Sequence, residues 1–329
     1  MGVSIMIRLG IVGTGRIANR FASDAWQSTN AKITAVFNPH TEHAEAFGKQ
    51  HNVSAATGNW NVFLEQIDAA YIASPTCFHA QYIKMLIDGG KHILCEKPMV
   101  LNKHEAVHLF QAANKKNIIL IEAIKTAYCP GFTALLHWII NNDRIGEIRD
   151  VEACFTKLEN PNGRELNNRA DGGSMIELGT YGCYAAIKIL GCDYQSIRFS
   201  VQRNQKGIDI FTKLFLEYGE NNKTGLVKSG LGVKSEGEMI ISGTKGYIVV
   251  KAPWWLTTHF EVRYEDTAKC EVYDYPFIGN GLQYELQYFL DRIQGKQTTD
   301  FVTEQESIVL AEIMEQFLKE EANYRKSRW

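Results

Sequence analysis

The chain has 329 residues, 45% hydrophobic and 22% charged, with 35 basic against 37 acidic side chains and a net charge of −2. That balance, with no basic block, favours neither nucleic acid nor an anionic membrane as a partner, and no apolar run nears the roughly 18 residues of a membrane span. Single hydrophobic cores stop growing at roughly 250 to 300 residues, so two domains are expected.

The opening stretch Met1-Gly2-Val3-Ser4-Ile5-Met6 has no basic region ahead of an apolar core, so no signal peptide is expected. Met6 also breaks the myristoylation pattern that would begin at Gly2. Seven cysteines, an odd number with no C-x-x-C pair, make neither a disulfide nor a zinc framework. A reducing cytoplasm is the simplest location, and the sequon Asn52-Val53-Ser54 then carries no meaning.

Ile7 to Val12 reads as a strand, leading into Gly13-Thr14-Gly15-Arg16-Ile17-Ala18 and a helical stretch through Phe21 and Trp26. This is G-x-G-x-x-A between a strand and a helix, the context of a dinucleotide fingerprint. Gly13 permits the tight turn, Gly15 lets the backbone approach a pyrophosphate, and Ala18 lets the helix pack on the strand. A second strand, Lys32 to Phe37, ends at Asn38-Pro39-His40-Thr41, where an Asp or Glu would grip the ribose 2′-hydroxyl of NAD. The missing carboxylate leans towards NADP, although no arginine follows to bind the 2′-phosphate. Alternation continues: a helix Thr41 to His51, a strand Val53 to Ala55, a helix Trp60 to Gln66, and a strand Ala69 to Ala73 closed by Ser74-Pro75-Thr76. A helix containing His79 then ends at Gly89-Gly90. A doubly wound parallel sheet is implied.

Lys91 to Cys95 is the fifth strand, running into Glu96-Lys97-Pro98. Proline stops the strand, and the Lys97–Pro98 bond is of the one type that populates cis. Lys97 would overhang the C-terminal edge of the sheet, where open α/β sheets bind ligands. The plainer alternative is a solvated Glu-Lys pair at a turn. Asn102 with Glu105 resembles a capping box, and a strand Asn117 to Ile121 follows. Within that helix His104-Glu105-Ala106-Val107-His108 is a literal H-E-x-x-H. Its histidines share a face with Gln111 and Lys115, opposite Ala106, Leu109, Phe110 and Ala113. The apolar face must pack on the sheet, so the histidines face water and no metal is expected.

After Cys129-Pro130-Gly131 a helix with Phe132, Leu135, Leu136, Ile139 and Ile140 precedes a run of strands: Ile148 to Phe155, Ile197 to Gln202, Phe211 to Tyr218, Gly225 to Gly230, Glu238 to Ser242, Tyr247 to Val250, Phe260 to Tyr264 and Cys270 to Tyr275. Close spacing with turn signals predicts a mainly antiparallel sheet. Helices Leu282 to Gln294 and Glu304 to Arg325 close the chain. One helix interrupts the strands, starting at Gly172-Gly173 and carrying Glu177 and Tyr181 four apart. Ser174-x-x-Glu177 is itself a possible capping box, which would make Glu177 structural. The expected architecture is α/β: a Rossmann domain over residues 1–123 and an α+β substrate-binding and dimerisation domain over 124–329 with a predominantly antiparallel sheet.

In order and spacing these parts resemble the glucose-fructose oxidoreductase, inositol dehydrogenase and MocA family of NAD(P)-dependent oxidoreductases, over almost the whole chain. The matching parts are Gly13-x-Gly15-x-x-Ala18, Ser74-Pro75-Thr76 with His79, Glu96-Lys97-Pro98, Gly172-Gly173 leading to Glu177-Leu178-Gly179-x-Tyr181, and Tyr284 to Phe289 with Gly295. Glu122-Ala123-Ile124-Lys125-Thr126 with Pro130 and Tyr181 is similar to the trans-dihydrodiol and xylose dehydrogenase branch. The chain departs from the family at Glu177, usually Asp, and from the branch at Lys125, usually aromatic. Both departures bear on the substrate pocket more than on the chemistry.

The resemblance implies catalytic roles for Lys97 and Tyr181, with Glu177 orienting Lys97 or binding a substrate hydroxyl. A tyrosine of pKa about 10 is a poor base at neutral pH, and a neighbouring ammonium favours the phenolate. Lys97 would also hold the substrate oxygen by a charge-assisted hydrogen bond. Implied cofactor contacts are Gly13, Thr14, Gly15, Arg16, Ile17, Asn38, Ser74, Pro75, Thr76, His79, Glu96 and Lys97, with no metal. The expected activity is hydride transfer between NAD(P), with a slight lean to NADP, and a secondary alcohol or carbonyl of a sugar, cyclic polyol or vicinal diol. A homodimer or higher homo-oligomer is expected through the outer face of the antiparallel sheet. The alternatives are a non-catalytic NAD(P) sensor on the same fold and a glycosidase that borrows NAD for transient oxidation.

Overall fold

A computed structural model describes residues 6–25, 30–169, 171–219, 222–296, 299 and 301–326. Trp26 and the Met1–Ile5 stretch read for targeting signals lie outside them. Two compact units emerge: Met1–Tyr128 with Ile278–Ser307, and Cys129–Phe277 with Ile308–Trp329. The segment Ile278–Ser307 therefore packs with the first unit, although it follows the second in sequence.

The first unit contains β1 (Ile7–Val12), α1 (Arg16–Ala25), β2 (Ala31–Phe37), α2 (Thr41–His51), β3 (Ala55–Thr57), α3 (Trp60–Glu65), β4 (Ala69–Ile72), α4 (His79–Asp88), β5 (His92–Glu96), α5 (Lys103–Lys115) and β6 (Leu120–Ala123). The sheet order is β3-β2-β1-β4-β5-β6 with every pair parallel, the doubly wound order of a Rossmann domain. β4 and β6 are buried along their full length, as expected of strands covered on both faces. β6 starts later than the pattern predicts, because Asn117 has a left-handed backbone (φ +56°) and still belongs to the turn. Asn102 caps α5 by accepting the Glu105 N–H at 2.9 Å, while the Glu105 carboxylate pairs with Lys84. The cap is real, but it is not the reciprocal box.

α8 (Leu282–Ile293) is fastened to this unit by a buried acid. Asp24 of α1 accepts the backbone N–H groups of Asn280 and Leu282 and the Asn280 side-chain amide, at 2.9 to 3.2 Å. It thereby takes the place of a local N-cap at the start of α8.

The second unit contains α6 (Pro130–Asn141), β7 (Ile148–Thr156), α7 (Thr180–Leu190), β8 (Ser196–Arg203), β9 (Asp209–Glu217), β10 (Thr224–Gly230), β11 (Met239–Gly243), β12 (Gly246–Val250), β13 (His259–Tyr264) and β14 (Cys270–Asp274). α9 (Glu304–Lys326) begins in the first unit and ends in this one. The sheet order is β14-β13-β12-β11-β7-β10-β9-β8. It is antiparallel except at its centre, where β7 and β10 run parallel. One face, with Val151, Ala153, Leu214, Leu216, Val227, Ile241 and Ile248, is buried. In α6, Trp138 is buried and Ile140 is 78% exposed, so the apolar stripe is narrower than the sequence suggests.

Candidate active site

The fingerprint loop has the geometry its glycines predict. Gly13 sits at φ +102°, and a Cβ there would lie 2.7 Å from the Ala73 carbonyl oxygen. Gly15 is the opposite case: a Cβ would meet nothing within 4 Å, so its backbone borders open space at the start of α1. A tight turn followed by an open backbone at a helix N-terminus suits a pyrophosphate. Arg16 is exposed and Ile17 half-buried at this helix start. Asn38 ties the loop to the end of β2, its Nδ2 donating to Thr14 Oγ1 at 2.8 Å and its Oδ1 accepting the His40 N–H at 3.0 Å. These residues fit a dinucleotide, with no carboxylate placed to repel a 2′-phosphate.

Ser74, Pro75 and Thr76 form the loop after β4, with Pro75 exposed. His79 is 1% exposed and links two loops: Nε2 lies 2.9 Å from the Ser74 carbonyl and Nδ1 3.0 Å from the Pro98 carbonyl. Burial pushes its pKa down, against the pull of those carbonyls. Its place is thus to hold the Ser74 loop to the Glu96-Lys97-Pro98 turn.

In that turn the Lys97–Pro98 bond is cis and Lys97 is half-buried. Glu96 is not the solvated partner of an ion pair. It is 8% exposed, with Oε1 accepting Tyr71 Oη at 2.5 Å and Oε2 accepting the Lys97 N–H at 3.2 Å. Tyr71 in turn stacks on Phe21 at 3.7 Å between ring centroids. Burial raises the Glu96 pKa, opposed by the Lys97 charge. Two further buried acids belong to this region. Glu122 in β6 is 2% exposed, and Glu285 in α8 is fully buried with neither oxygen hydrogen-bonded among the described residues. Burial pushes the Glu285 pKa well up, and the neighbouring Glu96 reinforces the shift.

Lys97 belongs to the first unit, Glu177 and Tyr181 to the second. The helix expected after Gly172-Gly173 begins as a π-turn, Met175–Gly179, before α7. Such turns recur at functional sites. Ser174 does not cap it: its backbone is already helical, and its hydroxyl donates to Asp209 Oδ2 at 2.6 Å. The Ser174–Glu177 capping box is therefore absent. Glu177 instead accepts Arg164 Nη2 at 2.6 Å, while Arg164 Nη1 lies 2.9 Å from Asp171 Oδ2. Tyr181 is half-buried against Phe155 at 5.3 Å, and Phe155 stacks on Trp255 at 3.5 Å. Arg164, Phe155, Trp255 and Asp209 are the neighbours that sequence reasoning missed. The H-E-x-x-H histidines are exposed, their Nε2 atoms 2.8 Å apart, and no cluster of three or more metal-ligating side chains occurs among the described residues.

A parallel sheet with a dinucleotide loop, joined to a mainly antiparallel unit carrying a Gly-Gly turn, defines a class of nicotinamide-dependent oxidoreductases. The chain belongs to the GFO/IDH/MocA family: residues 7–123 match its oxidoreductase domain with an NAD-binding Rossmann fold, and residues 134–249 match its C-terminal domain. It is an NAD(P)-dependent dehydrogenase, transferring a hydride between the nicotinamide and a CH–OH carbon. It is 28% identical to the scyllo-inositol 2-dehydrogenase (NADP(+)) IolU of Bacillus subtilis, covering 96% of this chain and 97% of that protein. It is 26% identical to trans-1,2-dihydrobenzene-1,2-diol dehydrogenase of Sus scrofa, covering 95% and 96%. Among solved structures, UDP-N-acetylglucosamine 3-dehydrogenase GnnA from Acidithiobacillus ferrooxidans superimposes with a TM-score of 0.81 at 18% identity, covering 95% of this chain and 96% of that one. KijD10, a 3-ketoreductase from Actinomadura kijaniata in complex with NADP and TDP-benzene, gives 0.80 at 21% identity, covering 94% and 96%. No helix among the described residues is long and apolar enough to cross a membrane.

Proposed function

We propose that the protein is an NADP-preferring dehydrogenase of a cyclic polyol, sugar or vicinal diol, and that Lys97 and Tyr181 carry its proton chemistry. The observation that supports this most directly is the Glu96-Lys97-Pro98 turn, whose half-buried lysine gives its backbone N–H to a carboxylate shielded from solvent. When bound, the nicotinamide accepts or returns the hydride. Lys97 holds the substrate oxygen with its ammonium. Tyr181 takes the hydroxyl proton during oxidation and gives it back during reduction. Glu177, oriented by Arg164, binds a second substrate hydroxyl. Gly13, Thr14, Gly15, Arg16 and Ile17 cradle the pyrophosphate, and Asn38 stands beside the adenosine ribose. The Ser74-Pro75-Thr76 loop packs at the nicotinamide. The likeness to IolU, whose name specifies NADP(+), supports the cofactor preference, as does the absence of an acid at Asn38. The working form is a cytoplasmic homodimer, paired through the outer face of the antiparallel sheet.

A panel of inositols, aldoses and vicinal diols against NADP+ and NAD+, read by absorbance of the reduced cofactor, tests the reading. At least one cyclic polyol, sugar or diol should be oxidised, faster with NADP+. Lys97→Ala and Tyr181→Phe should each bind NADP+ normally and lose at least about a hundredfold in kcat. Near-normal turnover by either variant overturns the assignment of roles.

A further inference from the structure

Three consecutive residues of the lysine turn are held at their backbones by three buried side chains from three elements. Glu96, at the end of β5, accepts the Lys97 N–H. His79, at the start of α4, sets Nδ1 3.0 Å from the Pro98 carbonyl. Glu122, in β6, accepts the Met99 N–H through Oε1 at 2.9 Å. Lys97 is near enough for its charge to act on all three of these side chains.

Glu122 differs from the other two in having capacity to spare. Among the described residues its Oε2 has no hydrogen-bond partner, although the residue is buried. A glutamine would accept the same N–H with no charge to desolvate, so backbone capping alone does not explain an acid here. The residue also lines a cavity of about 260 Å³ beside β6.

We propose that Glu122 is a positioning residue for Lys97: its carboxylate clamps the Met99 N–H and attracts the Lys97 ammonium, and its protonation loosens the Lys97-Pro98-Met99 turn. The inference rests on Lys97 being the residue that holds the substrate oxygen. Hydrogen bonds to an ionised acceptor are roughly twice as strong as neutral ones, so the clamp has a strong and a weak state. The groups facing the carboxyl are the Cys95 thiol, Glu96 and Lys97 from the end of β5 and Ser307 from α9, and the cavity is also lined by Arg292 of α8 and Glu304 of α9. Burial pushes the Glu122 pKa up to about 7, with the Met99 N–H, Ser307 and Lys97 opposing and Glu96 reinforcing. The carboxyl is neutral below that pH and charged above it. The turn therefore tightens as pH rises through neutrality.

The test uses the full-length protein with NADP+ bound and follows hydrogen exchange at the Met99 amide, corrected for intrinsic rate. In the wild type, protection should rise at least about threefold from about pH 6 to about pH 8. Glu122→Gln should show no such rise. Glu122→Asp, whose shorter side chain keeps the charge but falls short of Met99, should lose protection at every pH. With a substrate from the panel above, Glu122→Gln should lose the kcat inflection near neutrality, while its KM for NADP+ stays within about twofold of wild type. Flat Met99 protection in the wild type, or a kcat–pH profile of Glu122→Gln that superimposes on the wild type, overturns the proposal. Lys97→Ala is the control: near-normal turnover there removes the underlying role of Lys97, a failure distinct from a flat exchange profile.

Discussion

Asp209 holds up the turn that carries Glu177 and leads to Tyr181. It is 4% exposed in β9, and its Oδ2 accepts Ser174 Oγ at 2.6 Å, the Met175 N–H at 2.8 Å and Thr212 Oγ1 at 3.1 Å. Asp209→Ala leaves the buried Ser174 hydroxyl and the Met175 amide without an acceptor, each costing about 1–3 kcal/mol. Burial raises the Asp209 pKa, so the removed carboxylate was itself costly to desolvate, which offsets part of that loss. A net destabilisation of about 3 kcal/mol is expected, about a hundredfold or more in the folded fraction. Asp209→Asn can place its amide oxygen where Oδ2 stands, keeping the three donors satisfied, and should cost about 1 kcal/mol. Urea unfolding followed by circular dichroism reads both variants, and activity at low urea reads the turn. Turnover should fall in the Ala variant while the protein is still folded. An Ala variant within about 1 kcal/mol of wild type, or an Asn variant as costly as Ala, refutes the reasoning.

Four other outcomes follow from local geometry. Gly13→Ala combines φ +102° with a contact at 2.7 Å and should destabilise the first unit by about 2–4 kcal/mol, whereas Gly15→Val should leave the melting temperature unchanged and weaken NADP+ binding at least about tenfold by filling the space a pyrophosphate needs. His104→Ala should leave activity unchanged, and purified wild type should contain no stoichiometric zinc by atomic emission. Glu271, which accepts Tyr264 Oη and Tyr273 Oη and pairs with Arg144, has its pKa lowered to about 2. Its stabilising contribution is thus present above the ordinary carboxylate range and is lost as pH falls through about 2, so Glu271→Gln should show the shallower loss of thermal stability on acidification.

Much of the scaffold could be read directly because its signals are local. The G-x-G-x-x-A turn, the Asn102 cap and the alternation of strand and helix each lie within a few residues of what they specify. The order β3-β2-β1-β4-β5-β6 then follows from the doubly wound rule. The return of Ile278–Ser307 to the first unit has no such signal, because Asp24 grips the start of α8 across 258 residues of sequence. The exposed placement of H-E-x-x-H was legible for a physical reason: an apolar face opposite the histidines leaves them nowhere else to go. The Ser174 capping box failed because a nonlocal acid outcompeted it. Its hydroxyl had a buried carboxylate 35 residues away as a partner, and Arg164 took Glu177.

The two units share a further pattern that motif reading does not reach. In each, a motif marks a residue to which we assign chemistry, and a buried acid from another strand accepts a backbone N–H beside it: Glu122 takes Met99, two residues beyond Lys97, and Asp209 takes Met175, two residues before Glu177. Burying a carboxylate is costly unless the geometry of the backbone it holds matters. One sequence clue to Glu122 did exist, since a glutamate between Ile121 and Ala123 interrupts a strand that is buried throughout and must find a partner there. Asp209 had no comparable clue, because β9 alternates and an acid at a strand start reads as solvated. Acids inside fully buried parallel strands therefore mark the supports of a site more directly than acids at strand ends, and Glu122 is the support whose protonation can alter the turn it holds.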